Sequence, residues 1–230
     1  MTHANSESRF LNEYAKVRVD YSGQTLDESD VASHPLGQFQ SWYGEVVELG
    51  LPEPNAMVLS TAASNGSVSA RHVLLKDVDS RGFIFFTNYA SDKARDIDTN
   101  PHVALTFSWI AIFRQVLVSG VCEKLSEAES VAYFKTRPRG AQIAAHASEQ
   151  SEILQSRREL ESRYIELEQE FEGCEIPKPE NWGGYLVVPQ SIEFWSGRSS
   201  RLHDRLRYVS LISHPAISEP SHWRLERRSP

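Results

Sequence analysis

The chain has 230 residues, enough for one large domain or two small ones and for a real hydrophobic core. Apolar residues make up 40% and charged residues 24%, ordinary proportions for a globular protein. A formal charge of −7 argues against a general nucleic-acid binder, which needs a broad basic field; local basic clusters in such a chain suit small anionic ligands.

Residues 1–34 are polar and acidic with little periodicity, and are expected to form a flexible arm ahead of a single domain over 35–230. The opening MTHANSESRF has no apolar stretch of the kind a secretory signal carries. From Pro35, Leu36, Phe39, Trp42, Tyr43, Val46 and Val47 recur at helical spacing, which predicts an amphipathic helix ending near Gly50. A β-rich block follows. AMVLSTAA and SVSARHVLLK flank Asn65-Gly66, a hairpin signal, and GFIFFTN, HVALTFSW and FRQVLVSGVCEK continue the series. Five short strands with tight links predict an antiparallel sheet or barrel. Between them SDKARDIDTN reads as a short helix with Ser91 as N-cap.

The second half begins with helices. Ser126 and Glu129 form a capping-box pattern that opens SEAESVAYFKTR, and Pro138 stops it. QIAAHA is a short helix, and SEILQSRRELESRYIELEQEFEG a long charged one with Ser151 as its expected N-cap. EGCEIPKPEN is a surface loop or linker, and GGYLVVP, SIEFWSG and RLRYVSLIS close the chain as strands. The fold class is therefore mainly β with helices, α+β. Cys122 and Cys174 lie in no CxxC or Cys/His ligand pattern, so reduced thiols in a cytoplasmic protein and no metal site are expected. No apolar run approaches the ~20 residues of a membrane-spanning helix.

Four basic constellations point to chemistry. In RHVLLK, Arg71 and Lys76 are five apart and face opposite sides of a regular strand, so they hold two different groups unless a bulge intervenes. In YFKTRPRGAQ, Tyr133 and Arg137 share a face at a helix end, where a phenol and a planar guanidinium make a phosphate cradle. SEQS, residues 148–151, would open the long helix and offer its free amides to an anion. In EFWSGRSSRLHDRLRY, residues 193–208, strand alternation would put Arg201, His203 and Arg205 on one face and Asp204 on the other. Three such groups in register call for an anion, and Trp195 offers a flat wall for an aromatic ring. GxSxG, HExxH and GxxxxGK[ST] are absent. For each cluster the plain alternative is a solvated strand or helix end.

The ordered set RxVLLK, FFTN, RQV, YFxxRPR, Gln150-Ser151, WGGY, IEFW and RLHDR resembles the pyridoxamine 5′-phosphate oxidase family, from about Pro35 to Pro230. The resemblance implies an FMN-binding split β-barrel, antiparallel with flanking helices, working as a homodimer with FMN at the interface. It implies oxidation of pyridoxine or pyridoxamine 5′-phosphate to pyridoxal 5′-phosphate, with O2 reduced to hydrogen peroxide. The cofactor residues it implies begin with Arg71, Val73, Leu74 and Lys76 along one strand. Phe86, Thr87, Lys93, Gln115, Gln150, Ser151, Trp195 and Arg205 complete that set. The substrate residues it implies are Lys76, Tyr133, Arg137, Arg201 and His203, the last two catalytic.

Three positions depart from the family pattern. Asp92 stands where an Arg is usual, Ala141 where a Ser is usual, and Leu11, near Tyr14, where a basic residue is common. Asp92 and Ala141 keep two other readings open: a split-barrel flavoprotein with a different substrate, and a non-catalytic carrier of flavin or pyridoxal phosphate.

Overall fold

The computed structural model describes residues 15–17 and 19–230; Leu11 and Tyr14 lie outside the described residues. Helix α1 (Pro35–Glu48) leads into strands β1 (Ala56–Ala62), β2 (Val68–Leu74), β3 (Asp77–Asp79) and β4 (Gly82–Asn88). Helix α2 (Asp92–Thr99) precedes β5 (His102–Trp109) and β6 (Arg114–Lys124). Helices α3 (Glu127–Thr136), α4 (Arg139–Ala147) and α5 (Arg157–Glu170) follow. The chain ends in β7 (Trp182–Ser196), β8 (Asp204–Ser210) and β9 (Trp223–Arg227).

All pairings are antiparallel, in the order β2-β1-β5-β6-β7-β4-β3. β2 and β3 stand at opposite ends of that order yet are joined in the chain by Leu75 and Lys76 alone. The sheet must therefore curl until its ends meet. β7 is the seam. One side pairs with β6 over Tyr185–Ser196, while the other pairs with β4 over Trp182–Val187 and with β8 over Ser191–Ser196. This is a split barrel, as expected.

Helix α1 plugs the barrel because its apolar stripe is aromatic. Phe39 meets Phe83 and Phe107 edge-on at 5.0 and 5.1 Å, and Trp42 meets Phe194 at 5.2 Å. At 1% exposure, Phe39 is worth about 3–5 kcal/mol against alanine.

Several expectations are corrected. GGYLVVP and SIEFWSG are one strand, β7, running through Pro189. Proline gives no ladder donor, so the register slips there: Gly120 faces Pro189, Ser119 faces Ser191, and Gln190 is the extra residue of a bulge. A Cβ at Gly120 would come 2.3 Å from the Val188 carbonyl, so only glycine lets the strands close at the bend.

The long helix begins at Arg157, not at Ser151. Ser156 caps it through the Glu159 N–H, while Ser151 sits at φ +77°, outside helical geometry. Arg201, His203 and Arg205 do not share a strand face either. Residues 199–201 form a 3₁₀ turn with positive φ at Ser200 and Arg201, and β8 starts only at Asp204. Of the expected arm, residues 21–32 are tied to the barrel: Gly23 N–H donates to the Gly197 carbonyl (3.0 Å), Leu26 is 6% exposed, and the Tyr208 hydroxyl donates to the Ala32 carbonyl (2.5 Å).

Candidate active site

The candidate site is a cavity of about 540 Å³ between the β2 end, β4, α3 and α4. Lys76, Lys93 and Arg137 line it, and among the described residues no carboxylate does. In an acidic chain that is a concentrated positive field, made for an anion.

Local chemistry places each cation. β2 ends at Leu74, and the two-residue step to β3 turns Lys76 toward the cavity. Arg71 stays behind on β2, where it donates to Thr61 Oγ1 (2.7 Å) and to Ser69 Oγ. The two cations therefore lie in different places. Arg137 follows the last residue of α3 because Pro138 disfavours helical geometry before it; its ψ is 145°. The Arg137 guanidinium lies 4.6 Å over the Trp182 ring and 5.5 Å over Phe134. Its Nη1 is buried with no hydrogen-bond partner among the described residues. Burial pulls the Arg137 pKa below its ordinary range and pushes the Tyr133 phenol up. Phe86, Tyr133 and Trp182 stack beside it, with Phe86 and Tyr133 at 3.8 Å and 16°.

Lys93 is the buried cation of the group, at 8% exposure. Its Nζ donates to Gln150 Oε1 (2.9 Å), Ser91 Oγ (3.0 Å) and Thr87 Oγ1 (3.2 Å), all neutral. Burial, aided by the Arg71 cation and opposed by Asp92, lowers its pKa to about 8. Ser91 precedes α2 as expected, but its hydroxyl donates to the Asn88 carbonyl instead of capping the helix. Asp92 turns away from Lys93 and pairs with Arg95 (2.5 Å). Ser151 accepts from the Asp92 N–H (3.2 Å), which puts Gln150 and Ser151 beside Lys93 without any helix start of their own. Val73, Leu74, Phe86, Thr87 and Ala141 also line the cavity.

The remaining expected residues form a second cluster. Gln115 and Arg205 flank Trp195 on neighbouring strands. Trp195 packs on His203 with rings 4.7 Å apart. His203 Nδ1 accepts from the Arg198 N–H (3.0 Å), which leaves the proton of the neutral ring on Nε2. Burial, with the Arg201 cation nearby, lowers the His203 pKa. Arg205 is not free: its guanidinium forks onto Glu193 (2.8 and 3.1 Å), which is 4% exposed. Tyr21 completes this cluster. It lies 5.9 Å from Trp195 and 5.5 Å from His203, with Arg201 5.2 Å over its ring. Sequence reasoning missed Tyr21 and Glu193; an aromatic inside a polar stretch was the available signal for Tyr21.

The two clusters lie at opposite ends of β7. From Trp182 to Trp195 the strand covers about 40 Å at about 3.3 Å per residue.

Residues 44–170 match the profile of the family described as pyridoxamine 5′-phosphate oxidase. The chain belongs to the pyridoxamine 5′-phosphate oxidase family. Residues 182–230 match the C-terminal dimerisation region of pyridoxine 5′-phosphate oxidase, so Glu193, Trp195, Arg201, His203 and Arg205 of the second cluster fall within it, while Gln115 and Tyr21 do not. The pyridoxine/pyridoxamine 5′-phosphate oxidase of Rubrobacter xylanophilus is 53% identical over 85% of this chain and 90% of its own. That of Burkholderia ambifaria is 50% identical over 94% of this chain and 98% of its own. Among solved structures, PhzG from Burkholderia lata, in complex with tetrahydrophenazine-1-carboxylic acid, superposes with TM-score 0.81 at 29% identity over 91% of this chain and all of that one. A pyridoxamine 5′-phosphate oxidase-related, FMN-binding protein of Nostoc punctiforme shares the fold (TM-score 0.62, 16% identity, covering 82% of this chain and 97% of that one). Like its named relatives, this member of the oxidase family is an oxidoreductase. Among the described residues, no helix is long and apolar enough to cross a membrane.

Proposed function

We propose that this protein binds FMN and oxidises pyridoxine or pyridoxamine 5′-phosphate to pyridoxal 5′-phosphate, with O2 reduced to hydrogen peroxide. The observation that carries the reading is the cavity lined, among the described residues, by three cations and no carboxylate, one of them the half-buried Arg137, whose Nη1 is buried without a hydrogen-bond partner among those residues. The residues fit FMN on a second count: Lys93 is buried among neutral oxygens and, among the described residues, has no carboxylate within ion-pair distance, which suits a phosphate.

When bound, FMN supplies the two-electron acceptor for a hydride from the substrate's 4′ carbon. The rest is binding and orientation. Lys93, Arg71, Thr87, Gln150 and Ser151 hold the cofactor phosphate. Val73, Leu74, Phe86, Gln115 and Trp195 line its ring system, and Arg205, fixed by Glu193, contacts it from the second cluster. Lys76, Tyr133 and Arg137 hold the substrate phosphate. Arg201 fixes the substrate ring, and the His203 Nε2–H donates to the substrate's polar groups. Tyr21 walls that side.

Both clusters must meet one ligand pair, yet they sit at the two ends of β7. The reading therefore requires a homodimer in which the second cluster of one chain faces the cavity of the other; the dimerisation-region match supports this. A cytoplasmic location accords with the soluble chemistry proposed.

A second reading has support of its own. Ala141 offers no hydroxyl to a substrate phosphate, and the PhzG structure holds a carboxylated aromatic. On that reading the same barrel oxidises a different anionic ring. Aerobic turnover of the FMN-reconstituted protein decides between the two. The proposal expects pyridoxal 5′-phosphate and peroxide in equal amounts from pyridoxine 5′-phosphate. Bound flavin with no aldehyde formed favours the second reading or a carrier.

A further inference from the structure

Asp204 lies inside the RLHDR motif but faces away from the second cluster. Its neighbours His203 and Arg205 belong to the second cluster, whereas its carboxylate turns toward residues 21–28. Oδ2 accepts from the Leu26 N–H (3.1 Å), and Oδ1 accepts from Arg227 Nη1 (3.0 Å). Arg227 Nη2 in turn donates to the Leu26 carbonyl (3.1 Å) and to Glu28 (2.6 Å). One ion pair thus grips both backbone polar groups of Leu26, whose side chain is 6% exposed.

The same carboxylate reaches the turn before β8. Asp204 Oδ2 is 3.7 Å from Arg198 Nε. Arg198 donates from Nη1 to the Gly23 carbonyl (3.1 Å) and from its backbone N–H to His203 Nδ1 (3.0 Å). Asp204 is thus the anion common to the strap of residues 21–28, the 198–203 turn and β9, hydrogen-bonded to the first and last and ion-paired with Arg198 of the turn. Its side chain is 18% exposed, so these interactions are partly shielded from water. Five residues upstream of Leu26, the strap delivers Tyr21 against Trp195, His203 and Arg201. Between them Gly23 is bonded to the Gly197 carbonyl and the Gln24 carbonyl accepts from Ser196 Oγ (2.7 Å), so the joint at Leu26 fixes where the Tyr21 ring stands.

We propose that Asp204 is a positioning residue that acts through Tyr21: with Arg227 it locks the strap so that the Tyr21 ring walls the substrate side of the site, without itself touching substrate or cofactor. This rests on the proposed placement of substrate at Arg201 and His203.

The test is a double-mutant cycle in kcat/KM for pyridoxine 5′-phosphate, run on FMN-saturated protein with Tyr21→Ala, Asp204→Ala and both together. Removing an acceptor of two charge-assisted or buried bonds is expected to lower kcat/KM about tenfold in the natural background. In the Tyr21→Ala background the same change should cost nothing further, because the residue being positioned is gone. Flavin retention should be unchanged in all variants. A general loosening of the fold would lower kcat/KM equally in both backgrounds, so additive losses overturn the proposal. Asp204→Asn, which keeps the shape and removes the negative charge that faces Arg227, serves if the alanine variant does not fold. It should give a smaller loss with the same dependence on Tyr21. If Tyr21→Ala alone has no effect on turnover, the placement of substrate beside Tyr21 fails, and the role of Asp204 fails with it.

Discussion

Replacing Lys93 with methionine should weaken FMN binding and stabilise the apoprotein, two effects of opposite sign from one residue. The Lys93 ammonium is buried, with three neutral acceptors and the Arg71 cation nearby. Its pKa falls from 10.5 to about 8, which at about 1.4 kcal/mol per pH unit is a cost of about 3 kcal/mol for carrying the charge at neutral pH. Methionine removes that cost and keeps most of the volume. The oxygens left behind keep partners, since Thr87 donates to Gln150 and Ser91 to the Asn88 carbonyl. A gain of about 1–3 kcal/mol in apoprotein stability is expected once lost hydrogen bonds are set against it. The holoprotein loses a charge-assisted bond to the cofactor phosphate, worth roughly 10- to 150-fold in FMN affinity.

The pH dependence has a definite sign. A lowered lysine pKa means the folded apoprotein holds fewer protons than the unfolded chain between about pH 8 and 10.5, so apoprotein stability rises with pH across that window. FMN binding restores the proton, because an anion beside Lys93 favours its charged form. FMN affinity therefore falls above pH 8, approaching about tenfold per pH unit. Titration calorimetry of FMN near pH 9, in two buffers of different ionisation enthalpy, should report uptake of nearly one proton, absent in Lys93→Met. Tight FMN binding by Lys93→Met, or binding by the natural protein with no proton uptake, would refute the assignment of Lys93 to the cofactor phosphate.

Arg201→Leu should cut turnover by two orders of magnitude or more while FMN stays bound, since orientation alone supplies several kcal/mol; flavin absorbance after gel filtration and steady-state rates check both halves. The acid limb of kcat/KM should lie below the ordinary histidine pKa, because burial and Arg201 hold His203 neutral. Protonation of Nδ1 there also breaks the bond from the Arg198 N–H; a limb that persists in His203→Asn would remove His203 from this role. Arg137→Met and Arg201→Leu should each be inactive alone, yet regain activity when unfolded, mixed and refolded together. Half the dimers then pair the two variants and each has one intact composite site, so roughly a quarter of all sites recover. No recovery would mean that the site lies within one chain.

Much of this architecture was legible in the sequence because local signals agreed with the fold. The Ser126–Glu129 capping box forms as expected, and the Asn65-Gly66 hairpin pairs β1 with β2. Where local rules compete, the nearer signal misled. Ser151 and Ser156 both suit an N-cap; Ile153, 97% exposed, has nothing to pack against, and the helix starts at the second serine. Pro189 reads as a strand end, but the bulge at Gln190, opposite Gly120, carries β7 through it. The alternation imposed on Arg201, His203 and Arg205 failed because the chain turns with positive φ at Ser200 and Arg201. Tyr21 was hidden for a different reason. Its segment has no periodicity, and its order comes from bonds to residues about 175 positions away, such as Gly23 to Arg198 and Leu26 to Asp204. Such contacts leave no local trace.

The visible spectrum of the FMN-loaded protein, before and after anaerobic addition of pyridoxine 5′-phosphate, tests the central claim most directly. The account predicts that the flavin band bleaches and pyridoxal 5′-phosphate appears in equal amount, with the band returning when oxygen is admitted. A flavin band that persists while the substrate is bound would contradict it.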